Sequence, residues 1–244
     1  YRQIADHLRA QIESGELGPD GKLPSERSLM DAYGAARGTI RHAVEQLRND
    51  GLIEVEHGRG AFVRRRPPVR RLASDRFARR HRQRGKAAYL AELEAEDRRP
   101  EVEVFEVGPG PAPVLAARLL RLGEGETVLV RRRRYLADGD PMELATSYIP
   151  WQIAEGTPMM ETNPGPGGIY ARIEDAGHTL DHFTEEVTAR MPVDEERRTL
   201  RLVPGTPVLT VVRTAYDCDG VPVEVCDTVL AADRYLLNYE LPAR

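Results

Sequence analysis

The sequence predicts an α+β chain in two domains, a small helical one followed by a larger one built on an antiparallel sheet. Three observations predict it. Apolar residues recur at helical spacing as far as residue 50 and then give way to short β-prone runs. An Arg-rich stretch, residues 64–86, broken by Pro67-Pro68, separates the two patterns. The 244 residues, 41% hydrophobic and 30% charged, exceed one small module and are too evenly mixed for a disordered chain. The domains are set at 1–66 and 88–244, with a linker at 67–87.

In the first domain Ile4, Leu8 and Ile12 form one apolar stripe on a helix that stops near Ser14-Gly15. Leu23-Pro24-Ser25 then offers a serine cap to a short second helix that buries Leu29, Met30 and Tyr33 and ends at Gly34. A third helix from about Arg37 carries Ile40, Ala43, Val44 and Leu47 on its core side and closes at Asp50-Gly51. Leu52 to Glu56 and Ala61 to Val63 read as strands around a His57-Gly58-Arg59-Gly60 turn. A helix, a helix-turn-helix and a β-hairpin in about 65 residues make the winged form of a DNA-reading domain.

The formal charge of -4 hides a strong asymmetry. Residues 64–86 hold 11 basic side chains and 1 acidic one, while 87–244 hold 16 basic and 28 acidic. A basic collar thus joins the helical domain to an acidic body. Cys218 and Cys226 flank the Asp219-Gly220 turn unequally, so no disulfide is expected, and they lack the paired spacing of a zinc site. No run approaches the roughly 20 apolar residues that span a bilayer. The chain opens at Tyr1 without a basic-then-apolar leader, and a cytoplasmic protein without a membrane partner is expected.

Beyond the collar, strands are predicted around 102–107, 128–130, 147–149, 187–189 and 208–212, with helices at 114–120, 168–176 and 194–202. Asp138-Gly139 and Asp219-Gly220 each lie between β-prone runs and signal hairpins.

Residues 23 to 63, LPSERSLMDAYGAARGTIRHAVEQLRNDGLIEVEHGRGAFV, resemble the GntR family of bacterial winged helix-turn-helix regulators. RRRRYLADGDPMELATSYIP at 131–150 and GTPVLTVVRTAYDCDGVPVEV at 205–225 are similar to the UTRA effector domain of its HutC-type branch. The resemblance implies a chorismate-lyase-like α+β fold in the second domain that acts as a sensor. It also implies a ligand-responsive repressor that binds a pseudo-palindromic operator as a homodimer; with no cofactor fingerprint in the sequence, no cofactor is expected. By the same similarity Arg27, Arg37, Thr39 and Arg41 contact double-stranded DNA, and the wing residues His57 and Gly58 approach the minor groove. Elementary geometry agrees for two of them: Arg37 and Arg41 are one helical turn apart, and an Arg fork suits guanine O6 and N7. Ala36 and Gly38 stand where the family motif commonly has hydroxyl residues.

In the second domain Arg131 and Arg133 alternate onto one strand face. The resemblance places this face, with Ser147, Tyr148 and Glu224, around an effector cavity. Arginines there suit a carboxylate or phosphate, so an anionic small molecule is expected; the other reading is a surface strand with ion pairs to the acidic body. The Asn163 to Gly168 loop precedes a helix whose free N–H groups suit an anion, although such loops are usually connections. His178 and His182 would lie about 13 Å apart along a strand, too far for one metal. An enzyme is disfavoured because no nucleophile, cofactor fingerprint or metal set is visible. A DNA-binding architectural or plasmid-maintenance protein, whose second domain only dimerises, is the remaining alternative.

Overall fold

In the computed structural model, residues 1–17, 21–56, 58–63, 69–72, 89, 92–93 and 96–240 are described. The chain divides into two units, Tyr1–Pro67 with Leu202–Thr206, and Pro68–Arg201 with Pro207–Arg244.

In the first unit α1 (Arg2–Glu13), α2 (Glu26–Tyr33) and α3 (Arg37–Asn49) precede a two-stranded antiparallel hairpin, β1 (Ile53–Glu56) and β2 (Gly60–Val63). The expected serine cap forms: Ser28 N–H donates to Ser25 Oγ at 3.1 Å and satisfies one of the free amides at the start of α2. That helix ends where Gly34 turns to φ 58°, a left-handed conformation that costs glycine nothing. Leu8, Leu29, Ile40, Leu47 and Ile53 are fully buried and bring all three helices and the hairpin onto one core. At about 1.5–3 kcal/mol for each large side chain taken out of water, this cluster holds the unit together.

The second unit is a six-stranded antiparallel sheet in the order β4-β5-β6-β9-β8-β7. Its strands are β4 (Pro100–Pro111), β5 (Thr127–Ala137), β6 (Asp140–Pro150), β7 (Leu180–Arg190), β8 (Val208–Asp217) and β9 (Pro222–Ala231). β5 and β6 are joined by Asp138-Gly139 at φ 55° and 81°, the two positive values of a tight hairpin whose twist matches its strands. One sheet face is covered by α4 (Val114–Leu120), whose Ala116, Ala117 and Leu120 pack on Val128 and Val225. The other face carries two apolar clusters. In the first, α5 (Trp151–Ala154), a 3-10 turn (Pro158–Met160) and α6 (Gly168–Asp175) bring Met159, Ile169 and Ile173 onto Leu129 and Ala215. In the second, Val69, Tyr89, Leu93 and Tyr235 pack on Val211 and Leu230. A short helix, α7 (Asp194–Thr199), links β7 to β8.

The linker reading needs a correction. β3 (Val69–Leu72) falls inside the basic collar, yet it pairs in parallel with β10 (Tyr235–Asn238) and Val69 is fully buried in the second unit. These four residues therefore belong to the second unit. Residues 64–68 and 73–86 of the collar lie outside the described residues. No helix among the described residues is long and apolar enough to cross a membrane.

Candidate functional site

Each unit carries one candidate site. In the first, α3 starts without a side-chain cap because Ala36 occupies the N-cap position, so its first amides have no side-chain partner there. Arg37 stands on this first turn and Arg41 one turn further along, 72% and 68% exposed, and both lean on one carboxylate. Arg37 Nε lies 2.9 Å from Glu26 Oε2, and Arg41 Nε 3.5 Å from Glu26 Oε1. Such exposed pairs add little stability; here Glu26 orients two guanidinia side by side. Arg27 is exposed on α2, Thr39 is half-buried on α3, and nothing stands within 4 Å of a Cβ built on Gly38. Gly58 forms the exposed wing turn at φ 77°. His57, the other wing residue singled out, lies outside the described residues.

In the second unit a cavity of about 410 Å³ opens on the sheet face that bears the two apolar clusters, and it is lined by residues of both. Arg131, Arg133 and Glu224 line it. Ser147 sits directly behind: Arg133 Nη2 donates to its hydroxyl from the adjacent strand β5. Tyr148 is a correction. It follows Ser147 on β6, so alternation turns it to the opposite face, where it packs with Val130 and Val212 beneath α4. Arg132 and Arg134 alternate away in the same manner, to Glu195 at 2.5 Å and Glu103 at 2.7 Å.

The two cavity arginines have different work. Arg131 donates to the backbone carbonyls of Met159, Glu161 (2.6 Å) and Thr162 (3.1 Å), so it ties down the chain leading into the Asn163 to Gly168 loop. Burial, reinforced by repulsion from Arg133, lowers its pKa to about 10, which leaves it charged at neutral pH. Arg133 is only 8% exposed. Among the described residues it has no carboxylate within ion-pair reach, and its Nε has no hydrogen-bond partner. Burial on its own would lower the Arg133 pKa, but the acidic groups around it, Tyr135, Cys226 and Glu224, outweigh this and raise it. Glu224, with no exposed surface, accepts from the Tyr170 hydroxyl at 2.5 Å through Oε2, while Oε1 has no partner among the described residues.

Sequence reasoning missed Glu143, Tyr170 and Arg213, which also line the cavity. Arg213 had a legible signal: it shares a strand face with Val211 and Ala215, both fully buried, so a charge was being placed on the inward side. The loop at 163–168 forms one wall and delivers the start of α6 to the cavity, with Gly165 and Gly167 at φ 89° and 79°. His178 and His182 serve separate contacts, with Asp217 at 2.8 Å and with Asp181 at 2.8 Å.

Comparison with known proteins identifies both units. Residues 1–63 match the gntR family of bacterial regulatory proteins, and residues 95–236 match the UTRA domain. The chain belongs to the GntR family, in its UTRA-containing HutC-type branch. An HTH-type transcriptional regulator of Streptomyces coelicolor is 34% identical, over 98% of this chain and 91% of that protein. The HTH-type transcriptional repressor NagR of Bacillus subtilis is 28% identical, over 96% and 91%. The mannosyl-D-glycerate transport/metabolism system repressor MngR of Escherichia coli is also 28% identical, over 96% and 92%. Among solved structures, a GntR-family transcriptional regulator with 32% identity matches 99% of this chain and 97% of its own at a TM-score of 0.64. PhnF of Mycobacterium smegmatis, at 23% identity and a TM-score of 0.63, shares the fold. GntR proteins of this branch are transcription regulators rather than enzymes, which assigns DNA reading to the first unit as a class.

Proposed function

We propose that this GntR-family chain is a repressor that binds a pseudo-palindromic operator as a homodimer and is controlled by a small anionic effector in the UTRA cavity. One observation carries the effector reading: Arg133, more than nine-tenths buried, faces the cavity without a carboxylate partner among the described residues. A buried guanidinium in that position is stabilised by an oxyanion that accepts its free N–H groups. The start of α6, beside it in the cavity wall, adds amide donors and the positive end of a helix. Glu224 Oε1 needs a donor instead, so the effector that fits carries hydroxyl or amino groups besides its negative charge. MngR is named for a system handling a sugar acid, a molecule of that kind.

On the DNA side, Arg37 and Arg41, paired by Glu26, are set to read base edges in the major groove, while Arg27, Thr39 and the wing at His57 and Gly58 contact backbone and minor groove. Two-fold symmetry of a homodimer accounts for paired half-sites. A coupling of about 1–3 kcal/mol between cavity and operator would change DNA affinity roughly 5- to 150-fold.

The test has two arms. Duplexes selected by the purified protein from a random pool yield a palindromic consensus; purely salt-labile, sequence-independent binding would sink the operator reading. Calorimetry with inorganic phosphate, hexose phosphates, aldonic acids and neutral hexoses finds binding confined to the anions and lost in Arg133→Met. Binding of neutral hexoses with equal affinity would sink the anionic effector.

A further inference from the structure

Five buried polar side chains run from the cavity to the strand that opens the second unit. Glu224 on β9 accepts from the Tyr170 hydroxyl at 2.5 Å. That hydroxyl accepts from Arg213 Nε on β8 at 2.9 Å. Arg213 Nη1 lies 3.7 Å from Glu185 Oε1 on β7, and the same oxygen takes Arg71 Nη2, from β3, at 2.7 Å. The Tyr239 hydroxyl donates to the other Glu185 oxygen at 3.1 Å. None of the five is more than 9% exposed.

Glu185 therefore stands between two guanidinia and is shared unequally, Arg71 holding it closely and Arg213 from an ångström further. On its other side Arg213 is held by the Tyr170 hydroxyl, itself bonded to Glu224 in the cavity. Coulomb energies away from water depend steeply on distance, so a small movement of Arg213 redistributes Glu185 between its partners. A charge that draws Arg213 into the cavity leaves Glu185 to Arg71. Release of Arg213 lets it compete for that carboxylate, and a buried Arg71 that loses its share is costly to keep in place. Anchoring β3 alone would need only Arg71 and Glu185, besides the burial of Val69. Sharing the carboxylate with an arginine of the cavity wall links the two places. β3 begins at Val69, six residues after β2 ends at Val63, so it is the first described element of the second unit that the chain meets after the DNA-reading unit.

We infer that Arg71 couples the cavity to β3, the strand that opens the second unit: an anion in the cavity, acting through Arg213, strengthens the Arg71–Glu185 pair and tightens β3 onto β10. The role of the anion rests on the effector reading above; the internal link does not. By reciprocity, seating of β3 raises affinity in the cavity. Arg71 and Tyr170 act here as positioning residues.

Amide hydrogen exchange of residues 70–72, measured in the full chain, tests the link. Tyr170→Phe frees Arg213 Nε, and Arg71→Lys weakens the anchor directly. Each is expected to speed exchange at 70–72 by about threefold or more, while amides of β5 and β6 keep their wild-type rates. Glu224→Gln keeps the Tyr170 bond but removes the charge pulling on Arg213, so it acts in the same direction and by less; it serves if Tyr170→Phe fails to fold. Unchanged exchange at 70–72 in both Tyr170→Phe and Glu224→Gln, with acceleration in Arg71→Lys, would show an anchor with no link and overturn the inference. Acceleration spread equally over β5 and β6 would overturn it as well, because the effect would then be general loosening. Saturating inorganic phosphate is expected to slow exchange at 70–72 in wild type and to lose that effect in Tyr170→Phe. If phosphate has no effect while the variants respond as stated, the link is supported and the anionic effector is what fails.

Discussion

The Ser147 hydroxyl on β6 accepts a hydrogen bond from Arg133 Nη2 on β5, both groups being buried, so the cavity guanidinium is oriented by the strand beside its own. Ser147→Ala removes an orienting contact without touching the charge. Loss of one such bond, about 0.5–1.5 kcal/mol, weakens binding of an anionic effector roughly two- to tenfold. Operator affinity without effector stays at the wild-type value. Calorimetry and a DNA titration on the same preparation read both, and an undiminished effector affinity would mean that Arg133 is held by packing alone.

Arg41→Ala removes one of the two guanidinia that Glu26 sets side by side at the start of α3. A base contact of this type is worth about 1–3 kcal/mol. Preference at one position of each half-site is expected to disappear and affinity for the selected operator to fall roughly 5- to 150-fold, with non-specific binding little altered. A uniform loss over all sequences would instead mark Arg41 as a phosphate contact.

Gly139→Ala tests the β5–β6 hairpin. A Cβ there meets nothing within 4 Å, so the only penalty is the backbone conformation at φ 81°. Left-handed backbone costs an alanine about 1–2 kcal/mol, and urea unfolding should register a loss of that size. A stability equal to wild type would mean that the turn rebuilds in another geometry.

Glu196 gives a pH signature. Both of its oxygens receive Arg190 N–H groups at 2.7 Å, and Val193 N–H donates at 2.9 Å. The Arg190 bonds, aided by the Val193 amide, hold its pKa below the ordinary 4.5 against the opposing effect of burial. The folded state thus keeps this carboxylate ionised where the unfolded state protonates it. Its contribution is complete above pH 4.5 and is lost as pH falls through the folded value. Wild type should exceed Glu196→Gln in stability by a constant amount near neutrality, and the gap should close below pH 4.5. A gap that widens on acidification would contradict the assignment.

Much of the architecture was legible because it rests on local signals. The apolar stripes of α1 and α3, the Ser25 cap, the Gly34 stop and the Asp138-Gly139 turn are each written within a few residues, and each appears where expected. The site was legible in part. Arg131 and Arg133 follow from the period of a strand, and the same period, applied to Ser147 and Tyr148, separates two neighbours that were expected together. Arg71 gave no signal, since it is one arginine among eleven basic residues of the collar and its partners Glu185 and β10 lie far along the chain. Long-range pairing of that kind leaves no periodic trace. Tyr170 has the same difficulty: in a helix it reads as one more apolar contact beside Ile169 and Ile173, and only the sheet opposite reveals a hydroxyl with two partners.

Arg131 spends its guanidinium on main-chain oxygens at 159, 161 and 162. Those acceptors are the same whatever side chains those positions carry, so the grip does not depend on their identity. Glu161 is exposed, and the segment that follows supplies one wall of the cavity. Side chains along this wall can therefore be exchanged without dismantling the fixture that holds the wall in place.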